Sequence, residues 1–117
     1  LLNMAGALPL STPVAALLLS LFANAVLAGG LPTVELEIRD GAFDPAVIQV
    51  AAGQRFKINL HNRGNGPVEF ESLALRVEKV LGPGVSSFVV IHPLRPGRYS
   101  FFDEFHLDMP EGIIEAH

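Results

Sequence analysis

A handful of side chains in the second half of the sequence have the chemistry to hold a cation. Glu69 and Glu71 stand two apart, and Asp103 and His106 stand three apart. Side chains alternate across a strand with period two, so Glu69 and Glu71 share a face if Val68–Ser72 is a strand. Two carboxylates side by side repel, and a cation between them relieves the repulsion. Asp103 and His106 close an apolar, aromatic run, and a turn there can aim both at one point. Aspartate offers a hard oxygen and neutral imidazole a borderline nitrogen. Together they suit Fe(II), Fe(III), Mn(II) or a non-blue Cu(II). The competing readings are a solvent-facing strand edge for the glutamates and an Asp–His hydrogen bond in a surface loop.

The expected metal ligands are therefore Glu69, Glu71, Asp103 and His106. Glu78 is a weaker candidate that could reach the site from the following strand. Glu104 is expected to point away from Asp103. Met109 is expected to pack, since a thioether adds little to an oxygen-rich site. His61 and His92 read as surface or structural residues, and His117 as a mobile terminal one.

These residues need elements to position them. Val34–Arg39 alternates apolar and polar, as a half-buried strand does. Short strands are also predicted at Val47–Val50, Phe56–Leu60, Val68–Ser72, Leu75–Leu81, Ser87–Ile91, Arg98–Asp103 and Gly112–Ala116. Asp40-Gly41, Ala52-Gly53, Asn62–Pro67, Gly82-Pro83-Gly84 and Pro96-Gly97 punctuate them as turns or loops. No segment after residue 33 carries a helical stripe of useful length. The pattern predicts an all-β sandwich or small barrel of seven or eight strands. Tyr99, Phe101 and Asp103 share one face of their strand, expected to be the inward one.

The 117 residues suit one domain, and they include no Cys and no Trp. Without thiolates the chain forms no disulfide, no zinc–cysteine site and no blue-copper centre. A net charge of −4 argues against nucleic acid as a partner. The first charged residue is Glu35. Before it, Val14–Ala23 is apolar, and Val26 and Ala28 are small residues at the spacing a signal peptidase favours. Residues 1–28 are therefore expected to be a signal peptide and residues 29–117 the exported domain. Ser72, Ser86, Ser87 and Ser100 lie in no nucleophile-elbow motif, and the glycines form no phosphate-binding loop.

Gly41-Ala42-Phe43-Asp44-Pro45, Ile48–Gln54 and Ile58–Asn62 resemble the opening of a cupredoxin. Leu94–Asp103 resembles the family's penultimate strand, with Asp103 where the copper-ligating cysteine would stand. His106 lies near the usual second histidine and Met109 near the usual axial methionine. The Glu69-Phe70-Glu71 segment replaces the first histidine. More narrowly, Glu69-Phe70-Glu71-Ser72, Glu78-Lys79-Val80 and Phe101–His106 resemble a Cys-lacking cupredoxin-like family. Its members include the periplasmic cupredoxin component of Ftr-type ferrous iron transporters, and it is related to the cupredoxin domain of EfeO-type iron-uptake proteins.

The resemblance implies a Greek-key β-sandwich in the periplasm that binds an iron or copper ion. Its implied role is binding or oxidising ferrous iron for an inner-membrane iron permease. The alternative role is a non-enzymatic periplasmic copper or iron carrier.

Overall fold

Strand β4, Phe56–Asn62, shows how this chain builds its core. Phe56, Ile58, Leu60 and Asn62 are buried, while Lys57, Asn59 and His61 between them are only half-buried. One face is thus set inward by the period of two. The computed structural model describes residues 30–117. The expected signal peptide, residues 1–28, lies outside the described residues. Residues 31–117 form one compact unit.

Nine strands make two sheets. They are β1 Thr33–Arg39, β2 Ala42–Asp44, β3 Val47–Val50, β4 Phe56–Asn62, β5 Val68–Ser72, β6 Val77–Leu81, β7 Ser86–Ile91, β8 Gly97–Asp103 and β9 Gly112–Ala116. One sheet runs β2-β1-β4-β7 and the other β3-β9-β8-β5-β6. Two pairings, β1 with β4 and β3 with β9, are parallel. The rest are antiparallel.

The fold is thus the expected two-sheet sandwich, with one strand more than predicted. The extra strand, β2, is three residues long and pairs with the end of β1 through the Asp40-Gly41 turn. A strand that short carries too little alternation to show in sequence. The predicted strand Leu75–Leu81 begins later, at Val77. Leu75 instead packs into the core from the preceding turn, with its N–H on the buried Ser72 Oγ at 3.3 Å. His117 is not loose. Its N–H donates to Val50 O and its carbonyl accepts from Ala52 N.

Among the described residues, sixteen apolar ones from both sheets and their connecting turns form the core, with Phe56, Phe70 and Phe101 the largest of those fully enclosed. Phe101 meets Phe70 at 5.1 Å and Phe43 edge-on at 4.8 Å between ring centroids, geometries that suit aromatic quadrupoles. Its partner across the ladder is Gly112, where any Cβ would strike the Phe101 ring. Among the described residues, only three polar ones, Asn62, Ser72 and Asp103, are fully buried. Among the described residues, no buried side-chain polar atom lacks a hydrogen-bond partner, as burial in a low-dielectric interior demands.

Candidate metal centre

Strand β5 buries Val68, Phe70 and Ser72 and turns Glu69 and Glu71 outward. Its hairpin partner β6 pairs Glu71 with Glu78 and Glu69 with Val80. Carboxylate oxygens of Glu69, Glu71 and Glu78 consequently lie within 4.8 Å of one another. The first two are half-buried and Glu78 is exposed. Like charges directly opposite on a sheet destabilise it, and nothing basic intervenes within the trio. Partial burial, followed by the charges of Glu78 and Glu71, raises the Glu69 pKa above the ordinary glutamate value. Glu71 is raised by partial burial and then by Glu104 and Glu78. Both shifts report partial burial first and neighbouring negative charge second. Oxygen donors of this kind fit a hard di- or trivalent cation.

Asp103 is placed differently. It pairs with Phe70 across the ladder and follows that residue inward, and its side chain is fully enclosed. Oδ1 accepts from the backbone N–H groups of Glu69, at 2.9 Å, and Phe105, at 3.0 Å. Oδ2 lies 2.7 Å from His106 Nδ1. A carboxylate only accepts, so Nδ1 carries a proton, and in the neutral ring Nε2 then holds the lone pair. The chain turns after Asp103, with Glu104 N donating to Glu69 O and His106 N to Asp103 O. That turn seats His106 over Gly41, whose φ is 90°. A Cβ on Gly41 would come within 2.5–2.9 Å of His106 Cβ and Cγ and Met109 Cγ, so this close approach requires glycine. Met109 also lines a cavity of about 190 Å³ with Ala42, Phe43 and Pro110.

The four expected ligands therefore form two pairs. Glu69 and Glu71 gather with Glu78 on the outer face of the five-stranded sheet. Asp103 and His106 bond to each other beneath and beside it. Among the described residues, the only group of three or more potential ligands is the glutamate trio. Sequence reasoning ranked Glu78 too low because its place depends on the β5–β6 hairpin register. A direct Glu71–Glu78 pairing was a possible signal, since both residues lie on predicted neighbouring strands. Glu104 adds its charge to the glutamate side. A larger cavity, about 250 Å³ between Val34, Val50 and Phe56, has no titratable side chain in its lining.

The sequence profile of the family described as "Cupredoxin-like domain" matches residues 11–115. The chain belongs to this family. An uncharacterised protein of Rickettsia prowazekii (strain Madrid E) is 35% identical to this cupredoxin-like chain over 81 residues. The match spans 69% of the chain and 65% of that protein, so about a third of the relative has no counterpart in the match.

Among solved structures, the metal-binding domain of a Cu(I)-exporting P-type ATPase from Streptococcus pneumoniae D39, determined with Cu(I), superposes with a TM-score of 0.62 at 20% identity. That match covers 73% of this chain and 84% of the domain. Auracyanin A, a blue copper protein of Chloroflexus aurantiacus, gives 0.62 at 14% identity over 75% of this chain and all of its own. The purple cupredoxin of Nitrosopumilus maritimus gives 0.55 at 14%, covering 72% and 99%. At these identities the likeness concerns the fold. A thiolate-ligated copper centre does not fit this chain, which has no cysteine.

Proposed function

We propose that this cupredoxin-like protein is exported to the periplasm and binds ferrous iron on the outer face of its five-stranded sheet, acting in iron uptake beside a membrane permease. The observation that carries the reading is the meeting of Glu69, Glu71 and Glu78 oxygens within 4.8 Å. Three carboxylates that repel one another gain most from a cation placed among them. Anionic oxygens also favour the higher charge of Fe(III) by Coulomb attraction, so iron held there is poised for oxidation and delivery.

A second reading rests on the other pair. His106 and Met109 both pack on Gly41, and Nδ1 of the His106 ring is taken by Asp103, so Nε2 is the ring nitrogen left for a metal. Imidazole and thioether are softer donors and suit copper. On that reading the chain is a copper carrier, or it uses a copper ion at His106 to accept the electron from iron at the glutamates. Asp103 would then orient the ring through Oδ2, while Oδ1 stays engaged with the backbone.

The test is anaerobic titration with Fe(II) and, separately, Cu(I) and Cu(II). It compares the wild type with Glu69→Gln/Glu71→Gln/Glu78→Gln and with His106→Ala. Loss of iron binding in the triple variant alone supports the first reading. Unchanged iron binding in that variant rejects it. Stoichiometric binding without turnover of Fe(II) in air identifies a carrier and not an oxidase.

A further inference from the structure

The outer face of the other sheet carries a second arrangement of chemically active groups. Strands β1, β4 and β7 lie side by side there, with Glu37 opposite His61 and His61 opposite Ser86. His61 bridges its neighbours with both ring nitrogens. Nε2 lies 2.7 Å from Glu35 Oε1 and Nδ1 lies 2.7 Å from Ser86 Oγ. Asn59 holds the remaining Glu35 oxygen, donating from Nδ2 to Oε2 at 2.8 Å. The bonds from His61 and then Asn59 lower the Glu35 pKa, so the group is a carboxylate at neutral pH. It can only accept, which places the ring proton on Nε2 and leaves Nδ1 to accept from the Ser86 hydroxyl. A serine, a base and a carboxylate that orients the base stand in hydrogen-bonded order. All three sit on paired strands, and strands hold such groups more rigidly than loops do.

We infer that Ser86 is a nucleophile, that His61 is its general base and that Glu35 positions His61. The face also indicates what Ser86 would attack. Two residues along β7 on the same side stands Phe88, half of its surface exposed, and Val90 follows it. Lys57 Nζ lies 5.2 Å from the Phe88 ring centroid. A cation stacked over an exposed aromatic ring, close to the serine's side of the sheet, suits an aryl group that leaves as an anion. The substrate class is activated aryl esters of small acids, whose leaving groups need little help.

In the first step Ser86 Oγ bonds to the ester carbonyl carbon while its proton passes to His61 Nδ1. The aryl C–O bond then breaks, the phenolate takes the proton from His61, and Ser86 is left O-acylated. Water, activated by His61 in the same way, returns the acid and the free serine. The site shares no residue with the glutamate trio, so it stands whether or not that trio binds iron.

The test exposes the full chain to p-nitrophenyl acetate and maps the acetyl group by peptide mass spectrometry. The expected product, trapped by acid quenching before water returns the free serine, is one acetyl on Ser86, removed by hydroxylamine as an ester is, with Ser87 unlabelled. Ser86→Ala loses that label. His61→Gln slows labelling about 100-fold, the usual loss when a general base is removed. Glu35→Gln slows it less and moves the His61 ring proton off Nε2, read from the ring nitrogen shifts in the ester-free protein. Acetyl confined to Lys57, Lys79 or the amino terminus would overturn the inference. So would Ser86 labelling at the wild-type rate in His61→Gln.

Discussion

Both outer faces of the sandwich display glutamates on strands, yet their surroundings are opposite. On the four-stranded sheet each has a partner. Glu35 bonds His61 and Asn59, and Glu37 lies 3.4 Å from Arg63 Nε. On the five-stranded sheet Glu69, Glu71 and Glu78 face one another. The pKa directions follow, lowered for Glu35 and raised for Glu69 and Glu71. The same residue in the same kind of strand is thus a finished contact at Glu35 and Glu37 and an unmet need in the trio, although Glu115 on the five-stranded sheet is partnered by Arg98 and Gln49. The unmet need is what singles out the trio as the candidate cation site, and acidity alone does not.

The largest effect that tests this contrast lies beneath the acidic face. Asp103→Ala removes the acceptor of the Glu69 and Phe105 N–H groups and the partner of the His106 ring. The expected loss is about 3 kcal/mol or more in urea unfolding, since buried donors left unpaired cost about 1–3 kcal/mol each. A loss under about 1 kcal/mol would mean that the acidic face does not depend on this support.

Next in size is cation affinity. Glu71→Gln or Glu78→Gln should weaken Fe(II) binding about tenfold each, or about 1.4 kcal/mol, measured by anaerobic calorimetry. Glu37→Gln on the opposite face should change nothing. Equal losses from both faces would dissolve the distinction between them.

Smaller effects should appear without metal. Glu78→Gln should raise the melting temperature by a few degrees at most, because it removes a like charge across the ladder. Glu35→Gln should lower it slightly.

The pH dependence should separate the faces as well. A carboxyl group whose pKa is raised on folding favours the folded state at low pH. That contribution is full below the unfolded pKa and is lost as pH rises through the folded value. The benefit of removing charge at Glu69 or Glu71 should therefore exist at neutral pH and vanish below the ordinary glutamate range. Glu35 has the opposite sign. Its contribution is present above the unfolded pKa and lost as pH falls through its lowered folded value. Melting curves of Glu71→Gln and Glu35→Gln between neutral and acid pH read the two slopes. Slopes of the same sign would break the comparison.

How far the sequence revealed this arrangement follows from the range of each interaction. The alternation in Phe56–Leu60 and Val68–Ser72 displayed the inward and outward faces, because that period is a local property of the backbone. The shared face of Glu69 and Glu71, and the inward direction of Tyr99, Phe101 and Asp103, were visible for the same reason. What could not be seen was which face of one strand meets which face of the next. The pairing of Phe70 with Asp103 sends that aspartate to the side opposite Glu69 and Glu71, and it divided the expected ligand set. The meeting of Glu35, His61 and Ser86 was equally hidden. It depends on registers between strands more than 20 residues apart in the chain, and no short motif carries that information.

The grip of Asp103 on the Glu69 amide links the two sides of the sheet mechanically. One carboxylate oxygen holds that amide and the other holds the His106 ring. A ligand that draws the ring away must also disturb the hydrogen bond anchoring β5. The Glu69 amide proton is therefore a built-in gauge. Its exchange rate and resonance position on one surface should register events at the imidazole on the other, with no probe attached to either.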